Sequence, residues 1–202
     1  MPRRTGSSNR WRERQRRDVY VEQANREGWR SRAVFKLQQI QDKERLLKAG
    51  MVCVDLGASP GGWSQLAARL VGASGEIIAV DLLPMDPIPG VRFLQGDFTD
   101  GGTVAALREL LGGRGVDLVM SDLAPNISGN RSMDQPRSMA LLDAAAAFAE
   151  EVLKHGGDFL AKAFQGEGVE SFTRGLRERF ATVKTIKPKA SRPESREIYL
   201  LA

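Results

Sequence analysis

Ala33, Val34, Leu37, Ile40 and Leu47 recur at near-helical spacing, which predicts a helix over roughly 32–47, closed by Ala49-Gly50. Beyond it the period changes. Short apolar runs rich in Val, Ile and Leu fall at 51–56, 76–81, 91–94, 116–121 and 158–164, with helical segments between most of them at about 62–71, 103–111 and 136–154. Strands that are apolar on both faces and alternate with helices predict βαβ units and a mostly parallel sheet covered on both sides. A further helix at about 169–180 leads to two closing runs, 182–187 and 196–201, read as an antiparallel hairpin. The expectation is a single α/β, Rossmann-like domain with seven strands, and no internal repeat is visible.

In an open α/β sheet, ligands bind beyond the carboxyl ends of the strands. Those ends carry Asp55 to Gly62, Asp81, Asp97, Ser121-Asp122 and, within the fifth run, Lys162. The first loop, Asp55-Leu56-Gly57-Ala58-Ser59-Pro60-Gly61-Gly62-Trp63, lets the backbone turn sharply and approach a ligand closely, as a nucleotide loop does. It lacks the dinucleotide fingerprint, because Ser59 stands where the second glycine is required. Asp81, at the end of the second strand, is placed to accept from ribose hydroxyls, and Asp97 to accept from an adenine amino group. A nucleoside ligand without a pyrophosphate fits these positions, and S-adenosylmethionine meets that description. Lys162 sits in a run, Phe159 to Phe164, that reads as a buried central strand, where an unpaired ammonium is expensive. A lysine in a desolvated site beside other cations is driven toward the neutral amine and can act as a base.

Composition narrows the chemistry. With one histidine, His155, and one cysteine, Cys53, among 202 residues, the common zinc ligand sets and an internal disulfide are unavailable, and no metal is expected. His155 reads as a helix C-terminal residue, and Cys53 as a small core side chain. No apolar stretch is long enough to span a bilayer, so the expectation is a cytoplasmic protein without a membrane partner. The net charge of +5 is concentrated: residues 1–17 carry seven arginines against Glu13. Residues 1–25 are therefore expected to form a basic, flexible tail and 26–202 the folded domain. Such a tail is attracted to polyanions, RNA or DNA first. Two further basic clusters, one including Arg30 and Arg32 and one including Lys187, Arg192 and Arg196, extend that expectation.

Arg30-Ser31-Arg32-Ala33 with Phe35-Lys36-Leu37, Asp55 to Trp63, Asp81 to Pro87, Phe93 to Phe98, Ser121 to Asn126 with Ser128-Gly129, Lys162 with Phe164 to Gly168, and Ser195-Arg196-Glu197 together resemble the FtsJ-type 2′-O-ribose RNA methyltransferases. Within them the similarity is to the branch acting on a uridine in the A loop of 23S ribosomal RNA. The resemblance runs in order from about Arg30 to the C-terminus. It implies a class I S-adenosylmethionine-dependent methyltransferase fold and a Lys-Asp-Lys-Glu tetrad at Lys36, Asp122, Lys162 and Glu197. Lys162 would activate the ribose 2′-hydroxyl, Lys36 would favour its neutral form by like-charge repulsion, and Asp122 and Glu197 would offset that repulsion. The cofactor residues it implies are Gly57, Gly61, Gly62, Trp63, Asp81, Asp97 and Asp122. The implied partner is large-subunit rRNA or the 50S subunit, met by a monomer through Arg30, Arg32, Lys187, Arg192 and Arg196. Ser59 replaces the alanine of many relatives, a change the same turn accommodates. Three rival readings stay open: a relative acting on transfer RNA or a messenger cap, a nicotinamide-dependent oxidoreductase, and an RNA-binding assembly factor whose methyl transfer is secondary.

Overall fold

The computed structural model describes residues 18–126 and 128–202. Among the described residues two helices precede the sheet, α1 (Val19–Glu27) and α2 (Val34–Glu44). Asp18 caps α1 by accepting from the Tyr20 N–H at 3.1 Å, and Gly28 ends it at φ +73°. The domain thus begins before residue 25, the boundary drawn from charge. Of the basic tail expected over 1–25, residues 19–25 belong to a helix with Ala24 buried, and 1–17 lie outside the described residues. Helix α2 stops three residues short of its predicted end, because Arg45 adopts a left-handed backbone (φ +53°). Leu46 and Leu47 are still buried: the Gln41 side chain brackets Leu47, accepting from its N–H at 2.7 Å and donating to its carbonyl at 2.9 Å. The apolar period had extended the helix through a capping turn.

The sheet follows as β1 (Val52–Leu56), α3 (Gly62–Val71), β2 (Glu76–Asp81), β3 (Val91–Gln95), α4 (Gly101–Leu111) and β4 (Val116–Ser121). It continues through α5 (Arg131–Val152), β5 (Leu153–Phe164), α6 (Val169–Arg179), β6 (Lys184–Ile186) and β7 (Glu197–Leu201). Strand order is β3-β2-β1-β4-β5-β7-β6, with β1 to β5 parallel. The predicted antiparallel pair β6/β7 forms, and β7 also inserts between β5 and β6, antiparallel to β5 from Leu160↔Leu201 to Phe164↔Glu197.

Two predicted boundaries shift. Helix α5 starts at Arg131, capped by Asn130, and carries Pro136 inside its second turn, so Pro136 did not mark its start. Strand β5 begins at Leu153, and its register on β4 slips between Val116↔Leu153 and Leu118↔Asp158. His155 lies in that irregular stretch, exposed, rather than at a helix end.

Side chains alternate across the sheet, as the two-residue strand period requires. Val54, Leu56, Val119, Phe159, Ala161 and Leu200 face α4, α5 and α6, while Cys53, Ile77, Leu118, Met120, Leu160 and Tyr199 face α1, α2 and α3. Each of the larger fully buried side chains, such as Phe159 and Ile78, contributes roughly 1.5–3 kcal/mol by leaving water. Burial pushes the Cys53 thiol up to about 12, consistent with an inert core residue. No helix of the described residues is long and apolar enough to cross a membrane.

Candidate active site

The strand period decides which residues meet. Lys162 shares the face of Leu160, and Glu197 that of Tyr199, so both belong to the side covered by α1 to α3. On that side α2 brings Lys36 over the ends of β5 and β7, across 161 residues of sequence from Glu197. Lys36 Nζ donates to Glu197 Oε2 at 2.7 Å, and Lys162 Nζ lies 3.2 Å from Asp122 Oδ1 and donates to the Asp122 carbonyl at 2.6 Å. The side chains of Lys36, Lys162 and Glu197 are at most 13% exposed. Two lysines and two carboxylates therefore form one largely buried cluster in which each cation has its own anion. Paired this way, neither ammonium is left uncompensated in the core.

Tyr199 joins this cluster, and sequence reasoning missed it. It is fully buried, its hydroxyl donates to Asp122 Oδ1 at 2.9 Å, and its ring centroid lies 5.8 Å from Lys36 Nζ. A signal existed, since Tyr199 is two residues beyond Glu197 on the same strand and must share its face. Burial and the neighbouring Asp122 and Glu197 raise the phenol well above its usual range, which keeps it a hydrogen-bond donor. Burial opposes ionisation of Asp122, but the charges of Lys162 and Lys36 and the Tyr199 hydroxyl outweigh it and hold the carboxyl below its usual value. Ser191 Oγ donates to Glu197 Oε1 at 2.8 Å and fixes the other end. No local pattern marks Ser191, because its partner is reached only through the β6–β7 loop.

The glycine-rich loop lies at the neighbouring strand ends. Gly57 has φ +80°, and a Cβ there would stand 2.9 Å from Leu123 Cδ2 and 3.2 Å from Leu123 Cα. The loop thus packs directly on the segment that carries Asp122. Asp81 accepts from the Ser59 N–H at 2.9 Å and from the Leu83 N–H at 2.8 Å, tying the loop to the end of β2. The Ser59 amide is thereby committed within the protein, which disfavours its use on a pyrophosphate. Asp97 is exposed, and its Oδ1 accepts from the N–H and hydroxyl of Thr99 at 2.8 and 2.6 Å. Those bonds hold its carboxyl below the usual range.

Three further residues of the loop, Gly61, Gly62 and Trp63, tie it to its surroundings. Trp63 is 3% exposed, donates from Nε1 to the Ala33 carbonyl at 2.9 Å and packs on Tyr199. It joins α3 to α2 and the sheet. Gly61 and Gly62 are buried, and a Cβ would lie 2.7 Å from Ile88 Cδ1 and 2.4 Å from Ser31 Oγ respectively. They let the Arg30-Ser31 and 85–88 segments close on the loop.

The basic residues divide as well. Arg32, expected on RNA, turns inward: Nη1 pairs with Asp18 Oδ2 at 2.8 Å and Nη2 donates to the Ala190 carbonyl at 2.6 Å. It locks α1 to the loop before β7. Arg30 donates to the carbonyls of Asp86 and Pro87 at 2.6 and 2.7 Å, so it clamps the segment after β2 as well as lining the rim. Lys187 is exposed and bonds the Ser195 carbonyl, Arg192 reaches Asp18 at 3.5 Å, and Arg196 donates to the Gln165 carbonyl at 3.0 Å.

A mostly parallel seven-stranded sheet with its last strand inserted antiparallel, a glycine loop after β1 and an acidic residue ending β2 define a Rossmann-like methyltransferase architecture. The chain belongs to the FtsJ-like methyltransferase family, which it matches over residues 29–202. It is 54% identical over 195 residues, 96% of this chain and 93% of the relative, to Ribosomal RNA large subunit methyltransferase E of Alkalilimnicola ehrlichii. A solved structure from Plasmodium falciparum, assigned as a ribosomal RNA methyltransferase, matches it at a TM-score of 0.78 and 32% identity, covering 86% of this chain and 97% of that one. A Clostridium thermocellum structure assigned as an rRNA methylase, at 18% identity and a TM-score of 0.54 over 82% and 95% of the two chains, shares the fold.

Proposed function

We propose that this protein transfers a methyl group from S-adenosylmethionine to the ribose 2′-hydroxyl of a uridine in the A loop of 23S rRNA, in the assembled 50S subunit in the cytoplasm. The observation that carries this reading is the convergence of Lys36, Asp122, Lys162 and Glu197 in one cluster at the carboxyl ends of β4 and β5. The similarity to a large-subunit rRNA methyltransferase supports the substrate class.

The residues present fit the cofactor. Gly57 leaves no space for a side chain between loop and Leu123, and Asp81 holds two backbone amides while keeping lone pairs for ribose hydroxyls. When bound, S-adenosylmethionine supplies an electrophilic sulfonium methyl. The chain's own task is to hold the ribose 2′-hydroxyl beside the cluster and to take its proton. Lys162 Nζ is the base for this proton, and Asp122 with Tyr199 fixes its position. Lys36, held by Glu197, orients the hydroxyl, and most of the rate enhancement comes from this positioning. Lys187, Arg192 and Arg196 hold the RNA backbone beside the cluster, with residues 1–17 adding charge.

Nucleoside mass spectrometry after incubation with S-adenosylmethionine and unmodified large subunits tests the reading. A 2′-O-methyluridine product is expected. Cofactor binding without any product on large subunits would reject them as substrate, and transfer RNA would then be the rival to examine. A Gly57→Ala variant is expected to lose at least about tenfold in cofactor affinity by calorimetry, since the φ and the Leu123 contact both resist a Cβ. Unchanged affinity would place the cofactor away from this loop.

A further inference from the structure

Both carboxylate oxygens of Glu197 are committed. Oε2 accepts from Lys36 Nζ at 2.7 Å, and Oε1 accepts from Ser191 Oγ at 2.8 Å. The terminal torsion of a glutamate is broad, so a carboxylate tied through one oxygen can still turn. A second bond on the other oxygen fixes its plane. Both partners of that second bond are buried, Glu197 at 7% and Ser191 at 4% exposure.

Ser191 is held firmly enough to do this. Its N–H donates to the Pro188 carbonyl at 3.0 Å, closing a turn in the β6–β7 loop. Ala190, fully buried beside it, is fastened through both of its backbone groups. Its N–H donates to Gln39 Oε1 at 2.9 Å, and its carbonyl accepts from Arg32 Nη2 at 2.6 Å. Gln39 lies on α2, three residues beyond Lys36, and Arg32 just precedes that helix. The turn that carries Ser191 is therefore set in register with the helix that carries Lys36.

Resting on the reading above, we propose that Ser191 is a positioning residue for methyl transfer: through Glu197 it sets where Lys36 Nζ stands against the ribose 2′-hydroxyl. Lysine carries its ammonium on a flexible four-carbon stem, so the place of that ammonium is decided by its anion. Without the Ser191 hydroxyl, Glu197 Oε1 loses a donor in a buried site and the carboxylate turns to recover one. Lys36 follows it. A reaction that depends on placement slows steeply when an orienting group shifts by a fraction of an ångström to an ångström. This differs from a hydroxyl that only satisfies a buried oxygen, which would add stability and leave the rate of the folded enzyme unchanged.

The test is a double-mutant cycle in the full chain, with Ser191→Ala, Glu197→Ala and their combination, read as single-turnover transfer at saturating S-adenosylmethionine and large subunits. Ser191→Ala is expected to slow transfer at least about threefold, and by no more than Glu197→Ala does. Cofactor affinity and the subunit concentration giving half the maximal rate should stay within about twofold. In the Glu197→Ala background the same substitution is expected to cost less than about twofold, because the carboxylate it acts through is gone. An equal loss in both backgrounds would overturn the inference and leave Ser191 as a support of the β6–β7 turn. A wild-type rate in Ser191→Ala would also overturn it, as would a loss that falls only on the half-maximal subunit concentration. No methylation by the wild-type protein would overturn the proposed function and this inference together. Should the double variant fail to fold, Ser191→Ala alone decides, through the division of its effect between maximal rate and half-maximal concentration.

Discussion

Lys162→Ala is expected to lower the rate of methyl transfer by roughly 10²–10⁴-fold, the range associated with removing a positioned general base. Cofactor affinity should stay within about threefold, because Lys162 contacts Asp122 rather than the glycine loop or Asp81. The folded state should survive, since Asp122 keeps the Tyr199 hydroxyl and the field of Lys36. Single-turnover transfer to large subunits, beside calorimetric cofactor titration, separates the two effects. A variant that retained more than a tenth of the wild-type rate would remove Lys162 from the role of base. Loss of cofactor binding in parallel would instead indicate a collapsed site.

The second large effect concerns Asp55, which is fully buried near the end of β1 beneath the glycine-rich loop. Its Oδ2 accepts from Ser64 Oγ at 2.6 Å, while Oδ1 is buried without a partner. Burial pushes this carboxyl up to about 7, the Ser64 hydrogen bond resists, and the nearby Asp122 and Asp81 add to the rise. The folded state therefore binds a proton between pH 4 and 7 that the unfolded chain, with an ordinary aspartate, has released. The resulting stabilisation is complete below about pH 4, declines as pH rises toward 7, and is gone above it. Asp55→Asn keeps an acceptor for Ser64 and cannot ionise. Its stability relative to wild type should accordingly rise between pH 4 and pH 8, by on the order of 3–4 kcal/mol. Urea denaturation of both proteins at the two pH values measures this difference directly. Parallel changes in the two proteins would show that Asp55 is ionised throughout.

Much of the fold was legible because its signals are local. Helix α3 occupies 62–71 as predicted, and α6 ends within one residue of expectation, since both have a clear apolar stripe and a loop at each end. The failures have local causes too. Arg45 ended α2 early through a backbone conformation that an arginine rarely adopts, and Pro136 sits inside a helix whose true cap, Asn130, lay six residues earlier. Helix α1 was hidden by the charge around it, although Ala24 and Tyr20 pack on the α1–α3 face of the sheet.

From α2 onward, local signals along the chain are enough to give the order of strands and helices, the period that assigns each strand side chain to a face, and the residue types available for chemistry. With one histidine and one cysteine in the chain, residue types alone make a lysine the best candidate base. Only the tertiary structure decided which charges meet. Glu197 reaches Lys36, and Tyr199 reaches Asp122, because β7 runs antiparallel in the gap between β5 and β6, and pairing of that kind is set by distant partners, not by neighbours along the chain. The same holds for Arg32, which in sequence is one more arginine of a basic cluster and in space is buried against Asp18 and Ala190. Periodicity reports how a segment faces its surroundings, whereas the partner of a buried charge or amide is fixed by which segments the long-range packing brings together.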